Sequence, residues 1–318
     1  MSHDRPCACR VKALKHGHGP MRAPNQSQSS TMRPSGFSRF TPFMLSLPLL
    51  LLSAPSAQAV APTSVISAKA ADGAQIAQDI ASAGRLRTQS QRLAKLYVQA
   101  AMGLQAGQAR QQIDSGMADV DAEFNRLSRY GRKASMQRAY TRSEALWQEM
   151  RGLLKKSPDT ATRERMNLVA DELMVHTGKL AMLIEGEGET TVGRLLDLSS
   201  RLNMLSQRLA RLYLQAYAGD RTQGVLTDIE QARKEFANGL LDLDTARENS
   251  SGNRDNISLA RNQWIFFESA IRDLNKADRR EDKAAQHVAT SSERIAQVLE
   301  QTSLQYVRDY SESTRTAR

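Results

Sequence analysis

The sequence predicts an all-α protein: tandem duplicated antiparallel four-helix modules, about eight helices in all. Three observations carry that expectation. After Pro62 the only proline is Pro158, and long stretches are rich in Ala, Leu, Gln, Arg and Glu while β-branched residues are sparse, the reverse of what strands favour. Apolar residues recur at helical spacing, as in Leu86, Leu93, Tyr97 and Leu104, and again in Leu202, Leu209 and Tyr213. Finally, one long string occurs twice.

The elements follow in chain order. Residues 1–59 differ from the rest, holding seven of the nine prolines and both cysteines of the 318-residue chain. Arg33 and Arg39 precede an apolar run, Phe43 to Leu52, and Ala57-Gln-Ala59 has the small-x-small pattern of a cleavage site. The run is shorter than the ~20 apolar residues a membrane span needs. A cleaved signal peptide is therefore expected, starting at Met32 and ending near Ala59, with export to the periplasm. The mature chain would have no cysteine, which excludes disulfides and Cys-metal sites. The leader also holds seven Lys/Arg against one acid, Asp4. Taking these from the 44 basic and 34 acidic residues leaves 37 and 33, so the net charge falls from +10 to +4. A nucleic-acid partner is not expected from so small an excess.

Residues 60–71 are expected to be a linker, 72–186 the first module and 187–312 the second. Breaks are expected near Gly103–Gly107, Tyr130–Lys133, Lys156–Thr160, Gly186–Gly188, Gly219–Gly224 and Asn249–Asn253, where glycines and turn residues cluster. Helices of roughly 20–30 residues lie between them. Thr190 or Thr191 is a candidate N-cap for the second module. The duplication rests on Arg85–Gly103, RLRTQSQRLAKLYVQAAMG, and Arg201–Gly219, RLNMLSQRLARLYLQAYAG, identical at twelve of nineteen positions at an offset of 116. Ile113 with Ile229, Leu127 with Leu243, and the only two tryptophans, Trp147 and Trp264, extend the match.

On a helical wheel Ala83, Leu86, Ser90, Leu93, Ala94, Tyr97 and Ala101 share an apolar arc of about 120°. Arg85 and Arg92 fall opposite, where solvent is the ordinary expectation. Arg87 lies at the edge of the apolar arc among Ala83, Ser90 and Ala94, with no acid one turn away. A guanidinium cannot shed its charge and is costly to bury alone. It either reaches water or an acid of another helix, or holds a small anion with Ser90 and Gln91 as added donors. The matching position in the second copy is Asn203, among Ser199, Ser206 and Ala210, so Asn203 and Ser206 make a weaker mirror niche.

Ala83-Gly-Arg-Leu-Arg-Thr-Gln-Ser-Gln-Arg-Leu93 resembles the signature helix of the periplasmic domain of NarX-type nitrate/nitrite-sensor kinases, shared with the N-terminal domain of PilJ-type type IV pilus chemotaxis transducers. Leu202-Asn-Met-Leu-Ser-Gln-Arg-Leu-Ala210 looks like a second copy. The resemblance implies an antiparallel four-helix module and, in the nitrate sensors, one nitrate held between paired arginines where two signature helices meet. It places Ala83, Gly84 and that arginine role on the helix here, with Arg87 as the arginine. Asn203 breaks the pair, although two chains joined as a homodimer through their first copies would bring Arg87 against Arg87. No kinase or methyl-accepting segment follows, so a membrane-bound sensor, chemoreceptor or transporter would be the partner.

Other chemistry is not expected. His176 and His287 lack metal-ligand spacing. The two tryptophans read as packing anchors, and Asp171-Glu172 and Glu185/Glu187/Glu189 as solvated helix ends. There is no phosphate loop, nucleophile elbow or cofactor motif, so neither an enzyme nor a cofactor is implied. Two functions remain: an exported protein binding a small oxyanion, nitrate or nitrite, or a helical adaptor that has lost ligand binding.

Overall fold

The computed structural model describes residues 63–188, 191–275 and 283–316, all within one compact unit, Ala59–Arg318. Among them are eight α-helices and no strand: α1 Thr63–Ala101, α2 Ala106–Leu127, α3 Ala134–Leu154, α4 Thr160–Gly188, α5 Thr191–Tyr217, α6 Gln223–Asp244, α7 Ser251–Arg272 and α8 Lys283–Thr316. The expected leader, with its signal peptide and cleavage site, lies outside the described residues, as does Thr190. No described helix is long and apolar enough to cross a membrane.

Local chemistry explains where the helices stop. Gly103 takes φ +78° and Gly219 takes φ +120°, a conformation that glycine adopts without steric cost. Each closes its helix with the same pair of bonds: Gly103 N–H to Ala100 O and Leu104 N–H to Gln99 O, then Gly219 N–H to Ala216 O and Asp220 N–H to Gln215 O. The two motif helices therefore end identically, one repeat apart. Asp159 receives the Thr162 amide at 2.7 Å at the start of α4. Thr222 and Ser250 cap α6 and α7.

Two boundaries differ from expectation and one expected break is met. Residues 63–71, expected as a linker, belong to α1. The break expected near Gly186–Gly188 is present: α4 ends at Gly188, which fits closely on Ile76, 3.0 Å from where a Cβ would stand, and α5 begins at Thr191. The seventh and eighth helices are parted after the short 3₁₀ turn Asp273–Asn275, a break no glycine or proline marked.

Helices α1 and α5 lie side by side and parallel. Gly84 faces Ser200, Arg87 reaches Asp197, and further along Gln91 meets Arg211. Helix α4 runs antiparallel to α1, with Tyr97 bonding Lys156 O, Gln91 bonding Ala170 O and Gly188 packing on Ile76. Helix α8 runs antiparallel to α5 through Ser199 with Leu299 O, Asn203 with Ala296 O and Gln207 with Ser292 O. Helices α2 and α3 cover the first pair and α6 and α7 the second. Trp147 is buried and donates to Asp121 at 2.8 Å, while Trp264 is buried against Phe236 with ring centroids 4.3 Å apart. Both tryptophans are packing anchors.

Candidate functional site

Helix α1 touches α2, α4, α5 and α8, so little of its circumference meets water. Its polar residues are consequently interior groups that need partners. Arg87 is 6% exposed, and its Nη2 donates to Asp197 Oδ1 at 2.9 Å, Asp197 O at 3.0 Å and Ser200 Oγ at 3.2 Å. Burial presses the guanidinium toward its neutral form and Asp197 opposes this. Its Nε is buried and has no partner. Arg87 thus sits on the α1/α5 seam with one acid from the other half and one orphan donor. Gly84 makes the close approach possible: a Cβ there would stand 2.5 Å from the Ser200 side chain.

The remaining expected site residues do not converge on that guanidinium. Ala83 is buried in the core. Ser90 donates back to Arg87 O at 2.7 Å, and Ser206 does the same to Asn203 O at 2.7 Å, so both hydroxyl protons are spent on their own helix. Gln91 points along α1 into a different cluster, donating to Ala170 O at 3.0 Å and Asp171 at 3.1 Å and accepting from Arg211 at 2.9 Å. Asn203 donates to Ala296 O at 3.2 Å and leaves its Oδ1 buried and unpartnered, an acceptor rather than a donor. The face of α1 that carries Arg87 is covered by α5 of the same chain. Two chains cannot bring Arg87 against Arg87 there without opening this seam.

Sequence reasoning missed the second charged feature. Lys95 has no exposed surface and pairs with Glu293 of α8, while Ser292 Oγ stands 3.1 Å from its Nζ. Arg92 joins the same carboxylate at 2.9 Å. Burial alone would raise the Glu293 carboxyl, but Lys95 and Arg92 overcome that and hold it at about 2. Arg211, the repeat mate of Lys95, is 1% exposed and donates to Gln91, to Asn167 at 2.9 Å and to Asp171 at 2.7 Å. The cation kept in both copies at this register was the available signal. Arg85, read as solvated, binds Glu123 at 2.6 Å and approaches Glu300 at 3.5 Å. Among the described residues no group of three or more His, Cys, Asp or Glu is placed to hold a metal ion.

Residues 72–171 match the family model described as type IV pili methyl-accepting chemotaxis transducer N-terminal (PilJ). That stretch begins in α1 and ends within α4, a single copy of the motif region. No curated protein and no solved structure matches the chain.

Proposed function

We propose that the chain is a non-enzymatic sensory module, exported to the periplasm, which binds a small oxyanion, nitrate or nitrite, at Arg87 and relays its occupancy to a membrane-bound partner. The likeness of residues 72–171 to a chemotaxis transducer's N-terminal region supports the sensory role. The repeat supports two modules, 72–186 and 187–312, joined so that one chain supplies both signature helices. The observation that carries the ligand is Arg87 itself, a buried guanidinium on the seam with its Nε unpartnered. An oxyanion would take that donor and the Nη2 now shared with Asp197, displacing the carboxylate. Because α1 packs against α4 and α8 and α5 against α8, exchanging Asp197 for a free anion would shift the central layer, which is a signal a partner could read.

A second reading has its own support. Asp197 already supplies the negative charge Arg87 requires, so the seam is electrostatically complete without ligand. On that reading the scaffold is an adaptor. Thermal melts of residues 60–318 with nitrate, nitrite and chloride at constant ionic strength separate the two. A native-state ligand at a hundredfold excess over Kd adds about 2.7 kcal/mol. The oxyanion reading expects a nitrate- or nitrite-specific rise that disappears in Arg87→Ala and strengthens in Asp197→Asn. Flat curves in all three proteins would leave the adaptor.

A further inference from the structure

A groove runs between α1 and α8 with Asn203 of α5 on its wall, and its cavity volume is about 490 Å³, within the range that holds a small ligand. We propose that this groove binds a small zwitterion of the amino-acid class, its ammonium taken by Glu300 and the Asn203 carbonyl and its carboxylate by Arg294. The proposal stands apart from the oxyanion reading and uses none of the groups assigned to Arg87.

Among the groups lining the groove, the buried Asn203 Oδ1 and Gln89 Oε1 have no partner, Glu300 is weakly paired, and Arg294 is solvent-exposed. Asn203 is 4% exposed, and its bond to Ala296 O fixes the amide so that Oδ1 is the free acceptor. A buried acceptor without a donor is destabilising, and a donor on a ligand would relieve it. Glu300 follows Ala296 by about one turn on α8. Its one ion pair among the described residues is Arg85 at 3.5 Å, and Arg85 is held more closely by Glu123 at 2.6 Å. Burial accordingly raises the Glu300 carboxyl despite Arg85, the mark of a carboxylate short of positive charge. Arg294 is exposed and makes no ion pair among the described residues. Arg92 and Glu293, by contrast, satisfy each other and Lys95.

A buried acceptor without a donor, a weakly paired carboxylate and an exposed cation with no ion pair among the described residues together suit a ligand carrying both charges. A simple anion would meet Glu300 and the Asn203 carbonyl, and a simple amine would leave Arg294 unused. The repeat gives the contrast a cause: Asn203 stands where the first copy has Arg87. The second copy thus carries no fixed positive charge at this register and presents an acceptor there.

The test is calorimetric titration of the full chain with the proteinogenic L-amino acids one at a time, alongside acetate, methylamine and sodium nitrate. One or more amino acids should bind at unit stoichiometry. Arg294→Ala and Glu300→Gln should each weaken that binding about tenfold or more, and Arg142→Ala, distant on α3, should leave it unchanged. Arg294→Ala removes an exposed side chain, so its effect is not confounded by unfolding. The proposal is overturned if no amino acid binds, if acetate or methylamine binds as tightly, or if Arg294→Ala and Asn203→Leu bind like the parent. A nitrate response alone would uphold the Arg87 site and reject this one.

Discussion

Lys95 is the residue on which the interior electrostatics turn. It is fully buried, and Glu293 is its only carboxylate partner among the described residues. Glu293→Gln would leave that ammonium, and Arg92 beside it, without a counter-charge, at a cost of about 3–5 kcal/mol. A paired replacement, Lys95→Met with Glu293→Leu, should recover the part of the loss due to the fully buried Lys95, leaving only the partly exposed Arg92 without its carboxylate. The sign with pH follows from the same pair. Glu293 is held at about 2 against an ordinary 4.5, so its contribution is complete above about 4.5 and fades as the pH falls through about 2. Denaturant titrations across that window should show a slope that Glu293→Gln lacks, and an unchanged slope would sink the assignment. The sequence exposed Arg87 because that residue stands on an apolar arc without a local acid. It hid Lys95, which lies on the opposite arc, because that arc meets water in an ordinary surface helix. Here α8 and α5 enclose it.

At the scale of elements, the seam between α1 and α5 depends on one glycine. Gly84 and Ser200 occupy the same register of the repeat, the first copy with no side chain there and the second with a hydroxymethyl. A Cβ on α1 would stand 2.5 Å from Ser200 Cβ and Oγ, so Gly84→Ala forces the helices apart. The expected loss is about 1–3 kcal/mol, read from the denaturant midpoint. Gly84→Ala combined with Ser200→Gly moves the gap to the other helix and should restore most of it. If the double variant is no better than the single one, the close approach is not what the glycine serves. The helices themselves were legible, since Gly103, Pro158, Gly219 and Asn249-Ser250 all fall between them. Gly186 and Gly188 likewise mark the end of α4, which is antiparallel to the α5 that begins at Thr191. The end of α7 carried no glycine or proline marker because a 3₁₀ turn of ordinary residues, Asp273–Asn275, follows it directly.

At the scale of the molecule, the two halves are joined reciprocally. Lys95 of the first half is neutralised by Glu293 of the second, and Arg211 of the second by Asp171 of the first. Each half therefore keeps a buried cation whose acid the other half owns, and neither motif helix is complete alone. Residues 60–318 should then unfold in a single transition, with melting followed by helix content and by tryptophan emission coinciding. A chain ending at Gly188 would expose the face of α1 that α5 now covers and leave Lys95 without Glu293. The remedy lies in the repeat. In a symmetric pair of first halves, a second α1 takes the place of α5, Gly84 faces Gly84, and Lys95 reaches Asp171 of the other copy as Arg211 does here. Sedimentation of residues 60–188 should accordingly give a dimer with cooperative melting that depends on protein concentration. Lys95→Met should strengthen that dimer if the buried cation is a net cost in it, whereas Asp171→Asn should weaken it by stranding Lys95. A folded monomer from residues 60–188 would show that the halves merely lie together and that the crossed cations do not bind them.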